Sequence, residues 1–174
     1  DAPTDFDAAL QRAQAHDAAQ LERAQRHTPE LRDAPAWIAQ LVLAADSFVF
    51  ARPLADAPDG ESVIAGYPWF GGWGRDTMIS LPGLALATGR HDTALRILRT
   101  FARFVDQGLL PNVFPGSGAT PQYNSVDAGL WFIEAWRAYV AQSGDLAALR
   151  EVFATLQAMI DWHCRGTRHG IRRD

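Results

Sequence analysis

The sequence predicts an all-α fold of alternating buried and surface helices, a partial toroid of helical hairpins with one small β-hairpin. The first observation is an alternation of texture. The helical segment of about 76–88 carries no charge after Asp76, and that of about 126–141 is apolar nearly all round, with Val126, Leu130, Trp131, Phe132, Ile133, Trp136, Tyr139 and Val140. The segments of about 91–106 and 145–165 are amphipathic. A helix apolar all round is buried, and an amphipathic one lies on a surface. The order buried, surface, buried, surface suits inner helices wrapped by outer ones. The second observation is that the loops entering the two apolar segments both end in aromatic and charged residues: Trp73-Gly74-Arg75-Asp76 and Tyr123-Asn124-Ser125-Val126-Asp127.

The elements follow in order. From Thr4 to about Arg26, Ala, Gln, Leu, Glu and Arg dominate, which favours helix. Large apolar residues are few there (Phe6, Leu10, Leu21), so this is an exposed or linker helix, and residues 1–35 form the N-terminal unit. Thr28 and Pro29 start a new element, as cap and first helical residue. Trp37, Ile38, Leu41, Val42 and Ala45 recur at helical spacing and predict an amphipathic helix over about 36–47. Phe48–Ala51 and Ser62–Ala65 have strand chemistry, and Ala57-Pro58-Asp59-Gly60 between them is a turn signal. A hairpin over about 48–65 delivers the chain into the Gly66–Thr77 loop.

Pro82 lacks a backbone donor and is expected to kink the 76–88 helix, which stops at Gly89. In the 91–106 helix, Leu95, Leu98, Phe101, Ala102 and Val105 share one face and Arg96, Arg99 and Arg103 another. The connection of 107–124 is long enough to be functional, and Phe114 and Tyr123 favour an ordered loop. In the 145–165 helix, Leu149, Val152, Phe153, Leu156, Ile160 and His163 mark the apolar side.

Composition narrows the function. The 174 residues are 48% hydrophobic, so the chain has enough apolar side chains for a core. All sixteen basic residues are Arg, and the net charge of −4 argues against nucleic-acid binding. The single cysteine, Cys164, excludes an internal disulfide or a Cys-based metal cluster, and His163 beside it is read as structural. No apolar run is long enough to span a membrane. The chain starts Asp1-Ala2-Pro3 with no signal-like segment and ends after a turn at Arg172-Arg173-Asp174. The expectation is a cytoplasmic protein of which this is one piece.

The stretch Gly66-Tyr67-Pro68-Trp69-Phe70-Gly71-Gly72-Trp73-Gly74-Arg75-Asp76-Thr77 is the strongest candidate site. Trp69, Phe70 and Trp73 offer flat faces, and Arg75 sets a donor fork beside the Asp76 carboxylate. Sugars suit such a place: their C–H faces stack on aromatic rings, and their hydroxyls need paired donors and acceptors. The alternative is local. Asp76 at a helix start can cap it, Ser125 can cap the second helix, and Asp127 can favour its dipole.

Four stretches carry a family resemblance. Gly66-Tyr67-Pro68-Trp69-Phe70 with Trp73–Thr77, then Leu84–Arg90, Gly108–Asn112 and Tyr123–Ala128, resemble the amylo-α-1,6-glucosidase domain of glycogen debranching enzymes. The resemblance covers roughly 36–174 and implies the N-terminal half of an (α/α)6 toroid, also found in glucoamylases. The activity it implies is hydrolysis of α-1,6-glucosidic branch points with inversion. Trp73-Gly74-Arg75-Asp76 is similar to the glucoamylase Trp-x-Arg-Asp motif, whose charged pair holds the outer hydroxyls of the terminal glucose. By that resemblance Arg75 and Asp76 hold glucose hydroxyls, and the two motif loops add Trp69, Trp73, Tyr123, Asn124 and Asp127 as expected substrate-binding residues.

The resemblance also implies a general acid in a Thr-Trp-Met-Asp motif and a more distant Glu base, and neither motif occurs in this chain. Asp127 is the in-chain carboxylate closest to a catalytic role and is assigned to binding or orientation. The implied partner is a branched α-glucan or oligosaccharide, with no cofactor or metal, no nucleic acid and no membrane. The open face of a half-toroid is expected to be apolar and to be covered or to self-associate. Two other readings remain: part of another toroid glycosidase, glucoamylase- or trehalase-like, and a non-catalytic helical carbohydrate-binding or scaffold module.

Overall fold

The computed structural model describes residues 5–55, 57–113 and 120–173. Phe114, expected to help order the long loop, lies outside them. The described chain is mostly helical, with six α-helices and one small antiparallel sheet.

Helix α1, Phe6–His27, starts where the Asp5 carboxylate accepts from the Ala8 N–H. It buries only Gln20 and Ala24, as its sparse apolar content predicts. A 3₁₀ turn, Pro29–Arg32, leads to α2, Ala36–Ser47. Only Ala45 of α2 is buried; Trp37 and Leu41, expected on an inward face, point outward.

Strand β1 is Val49–Ala51 and β2 is Glu61–Gly66, the expected hairpin. The sequence did not predict β3, Phe70–Gly72, which pairs antiparallel with β2 (Ile64 opposite Gly72, Gly66 opposite Phe70). A third of the presumed aromatic loop is therefore sheet, and Trp69 sits in the turn between the two strands. Glycines usually weaken strands, which hid this one.

Helix α3, Gly74–Leu81, stops being α-helical at Pro82. The chain continues through one wider π turn, Pro82–Leu86, closed by the Ala87 N–H on the Pro82 carbonyl at 2.9 Å. This is the expected effect of Pro82: with no N–H to give and a ring that crowds the preceding turn, the ladder is reset. Helix α4 is His91–Ala102. Helix α5, Asp127–Ser143, ends at Gly144 with φ 68°, and α6, Leu146–Arg165, is capped by Asp145. No described helix is long and apolar enough to cross a membrane.

The core lies where α5 touches α3, α4 and α6. Met78 and Leu81 of α3, Ile97, Leu98 and Phe101 of α4, Phe132 and Trp136 of α5, and Met159 of α6 are almost fully buried. Phe132, Trp136 and Tyr139 stack edge to face at 6.3 and 5.8 Å, a favourable aromatic geometry.

Burial of α3 and α5 is less complete than their composition predicts. Ile79 is 47% exposed, Leu130 51% and Trp131 39%. Their apolar character belongs to sides that no described element covers. In α6 the buried stripe is Ala148, Val152, Leu156 and Met159, whereas Phe153 and Ile160, assigned to the inner face, are outside. An apolar count around a helix does not say which apolar stripe its neighbours use.

Candidate functional site

The N-terminal ends of α3 and α5 lie side by side, and this brings the two motif loops together. Arg75, the second residue of α3, donates from Nε to Asp127 Oδ1 at 3.1 Å. Its Nη2 donates to Ser125 Oγ at 3.1 Å and lies 3.0 Å from Asp127 Oδ1. The Ser125 hydroxyl in turn donates a short bond to Asp127 Oδ1. Three polar groups from two motifs thus form one closed cluster.

Asp127 sits below the usual carboxylate range, first because the Ser125 hydroxyl donates to it and then because of the Arg75 charge. Arg75 and Asp127 remain 46% and 42% exposed at the side chain, so their pairing is worth only about 0.2–1 kcal/mol. The cluster serves geometry more than stability: it fixes the guanidinium plane. Nη1 of Arg75 has no partner among the described residues.

Asp76 is the third residue of α3. Its carboxylate makes no capping bond and has no hydrogen-bonding partner among the described residues. A capping bond is therefore not what occupies it, whereas its place in the first turn of α3 still lets its charge favour the helix dipole, the other half of the local reading. Arg75 and Asp76 border a cleft of about 400 Å³ whose other walls are Phe48, Val63, Ile64, Ala65, Ile79, Ser80 and Leu84. An apolar cleft with a few converging polar groups is the usual form of a small-ligand site.

The other expected residues are placed differently. Trp69, 85% exposed, and Trp73, in edge-to-face contact with Phe70 at 6.0 Å, do not line that cleft. Tyr123 is occupied: its hydroxyl donates to the Phe104 carbonyl at 2.7 Å, and the Arg168 guanidinium covers its ring at 4.7 Å. Burial pushes its phenol upward, with a smaller contribution from Asp106. Asn124 is exposed and has no hydrogen bond among the described residues.

Two residues were missed as site residues. Ser125 was read only as a cap, and it does approach the Ala128 N–H, at 3.4 Å, while bridging Arg75 and Asp127. Asn112 stood within the Gly108–Asn112 motif without a role; its Oδ1 accepts from the Arg75 N–H at 3.2 Å. No group of three or more His, Cys, Asp or Glu among the described residues is arranged to hold a metal.

The comparisons fit this arrangement. The amylo-alpha-1,6-glucosidase family matches residues 43–174, which include both motif loops and the cleft. The chain belongs to that family. The glycogen debranching enzyme of Saccharomyces cerevisiae is 42% identical over 84 residues, which are 45% of this chain and 5% of the yeast enzyme. The chain is thus similar to a small part of that relative and is a member of a glycosidase family.

Proposed function

We propose that this chain is part of a debranching-type glucosidase that hydrolyses α-1,6-glucosidic branch points of a branched α-glucan with inversion. Within it, Arg75 and Asp76 form part of the wall around the terminal glucose, with Trp69 and Trp73 as flanking aromatic faces and Tyr123 and Asn124 on the second loop. The observation that carries this is the Arg75–Ser125–Asp127 cluster. It fixes a guanidinium that keeps one nitrogen without a partner among the described residues, beside the Asp76 carboxylate, likewise unpartnered among them, at the mouth of an apolar cleft. A glucose hydroxyl pair needs one such donor and one such acceptor.

Asp127 is given to orientation. A general acid needs its proton near neutral pH, and Asp127 is held on the ionised side. An inverting pair also needs two carboxyls far enough apart to admit a water, and this cluster contains one carboxylate. The acid and base are assigned to the longer protein. Residues 36–174 are then the N-terminal half of an (α/α)6 domain and residues 1–35 its linker helix, a reading favoured by α5 lying between α3, α4 and α6.

The test is the reaction of the longer protein with branched limit dextrin, followed by proton NMR. The expected result is glucose that appears first as the β-anomer, with little release from linear α-1,4 oligosaccharides. Release from the linear chains alone, or α-glucose as first product, would overturn the debranching reading. Dextrin binding without any turnover would favour a carbohydrate-binding module.

A further inference from the structure

We infer that Asn112 is a positioning residue for the Arg75–Asp76 pair, supplying from a distant loop the cap that the first turn of α3 lacks. The inference rests on the sugar-site reading of that pair.

The first N–H groups of a helix have no partner inside it and need an acceptor from elsewhere. Trp73 precedes α3, and an indole has no oxygen to offer. Asn112 serves the first two positions at once. Its backbone carbonyl accepts from the Gly74 N–H at 2.8 Å and its side-chain Oδ1 from the Arg75 N–H at 3.2 Å. Asn112 is itself held: its N–H donates to the Gln122 carbonyl at 2.9 Å, and it is only 6% exposed. On its far side Val113 pairs with both Trp73 and Gln122.

Gly74 records how close this approach is. A Cβ there would lie 2.1 Å from the Pro111 carbonyl oxygen, so the motif needs glycine to let the loop reach the helix end. The loop of Pro111–Asn112 is therefore clamped onto the residue before Arg75. Arg75 and Asp76 sit on the turn so fixed. Hydrogen-bonded ligand sites demand placement within about 0.5 Å, and a displacement of about 1 Å can cost on the order of 10²-fold in rate.

The experiment uses the longer protein and two readouts: affinity for deoxynojirimycin, an iminosugar with the hydroxyl configuration of glucose, and kcat and KM on branched limit dextrin. Asn112→Asp keeps the size and the acceptor, and a negative charge suits a helix N-terminus. Asn112→Leu keeps the size and removes the acceptor. The expected result is iminosugar affinity within about three-fold of wild type for Asn112→Asp, and a loss of roughly ten-fold or more for Asn112→Leu, with the Arg75 N–H left unpaired. Circular dichroism checks that each variant is folded at the assay temperature. If Asn112→Leu does not fold, Gly74→Ala replaces it, because the added methyl must displace the Pro111 carbonyl, and it is expected to lose affinity likewise.

Wild-type affinity in Asn112→Leu, or in Gly74→Ala where that replaces it, alongside a defective Asp76→Asn, would overturn the inference and leave the sugar site standing. Equal losses in Asn112→Asp and Asn112→Leu would overturn it too, since the acceptor would not be the cause. Wild-type affinity in Asp76→Asn would remove the sugar site and the inference together.

Discussion

Arg75 and Asp127, 52 residues apart, meet at the N-terminal ends of α3 and α5, with Nε of the guanidinium 3.1 Å from one carboxylate oxygen. Ser125 completes the contact by giving its hydroxyl to the same oxygen and accepting from Arg75. The first prediction concerns this serine. Its hydroxyl is the largest cause of the low Asp127 pKa, so Ser125→Ala should raise that pKa toward the ordinary carboxylate value. The sign for stability follows. A folded-state pKa below the unfolded one stabilises above the unfolded value, and the gain is lost as pH falls through the folded value. Carboxyl-carbon NMR titration of Asp127 measures the shift, and the variant should lose the acid end of this stabilisation. An unchanged titration would remove Ser125 as the cause.

Asp76 separates a ligand role from a capping role. It has no capping bond, so Asp76→Asn removes only its charge from the first turn of α3, about 0.3–1 kcal/mol, and the melting temperature should fall little. In the longer enzyme the same change turns one acceptor into a donor. Charge-assisted bonds contribute about 1.5–3 kcal/mol each, and two such bonds correspond to roughly two to four decades in kcat/KM at about 1.4 kcal/mol per decade. Asp76→Ala should fall as far. Arg75→Lys should also be poor, because an ammonium cannot hold Ser125 and Asp127 in one plane while presenting a further donor. Near-wild-type kcat/KM in a folded Asp76→Asn enzyme would take the pair out of the site.

The sequence was informative where local chemistry decides. Pro82 and Gly89 end or bend helices for reasons internal to the chain, and the breaks occur there. Arg75 and Asp127 stood out as candidates because each opens a helix a few residues after an aromatic one. What escaped were relationships between segments. β3 was hidden because its glycines have no strand signature and its pairing partner is β2. Asn112 was invisible as a cap because capping rules look a few residues upstream, and its helix begins 38 residues earlier in the chain. Trp37, Phe153 and Ile160 were assigned inward because periodicity gives an apolar stripe but not which neighbour, if any, meets it.

Arg90 carries the third prediction, one of stability. Its side chain is 3% exposed and holds Asp46 of α2 at 2.5 Å, the Leu84 carbonyl at 2.6 Å and Thr88 Oγ1 at 3.2 Å. It therefore ties α2 to the π turn and to the start of α4. Burial lowers its pKa first, and Asp46 partly restores it. Breaking a buried pair by removing one partner costs about 3–5 kcal/mol, and the Asp46 side chain, 27% exposed, moves the expectation to the lower end. Arg90→Met should lower the urea midpoint accordingly with an unchanged slope. A loss below about 1 kcal/mol would show that water satisfies these groups once the guanidinium is gone.

The last prediction concerns the 174 residues by themselves, which should not hydrolyse glycosidic bonds. Positioned acid–base catalysis contributes about 10²–10⁴-fold for each group, and the cluster contains none suited to it. Asp127 is held ionised by Ser125 and Arg75, so it has no proton to give near neutral pH. Asp76 is proposed to accept from sugar hydroxyls, and among the described residues lining the cleft it is the one carboxylate. Glucose release from branched dextrin by the purified chain, measured against a heat-denatured control, should stay at background, while the longer protein releases glucose under the same conditions. Release above background would mean that a catalytic carboxylate lies within the chain, and Asp127→Asn and Asp76→Asn would then show which one.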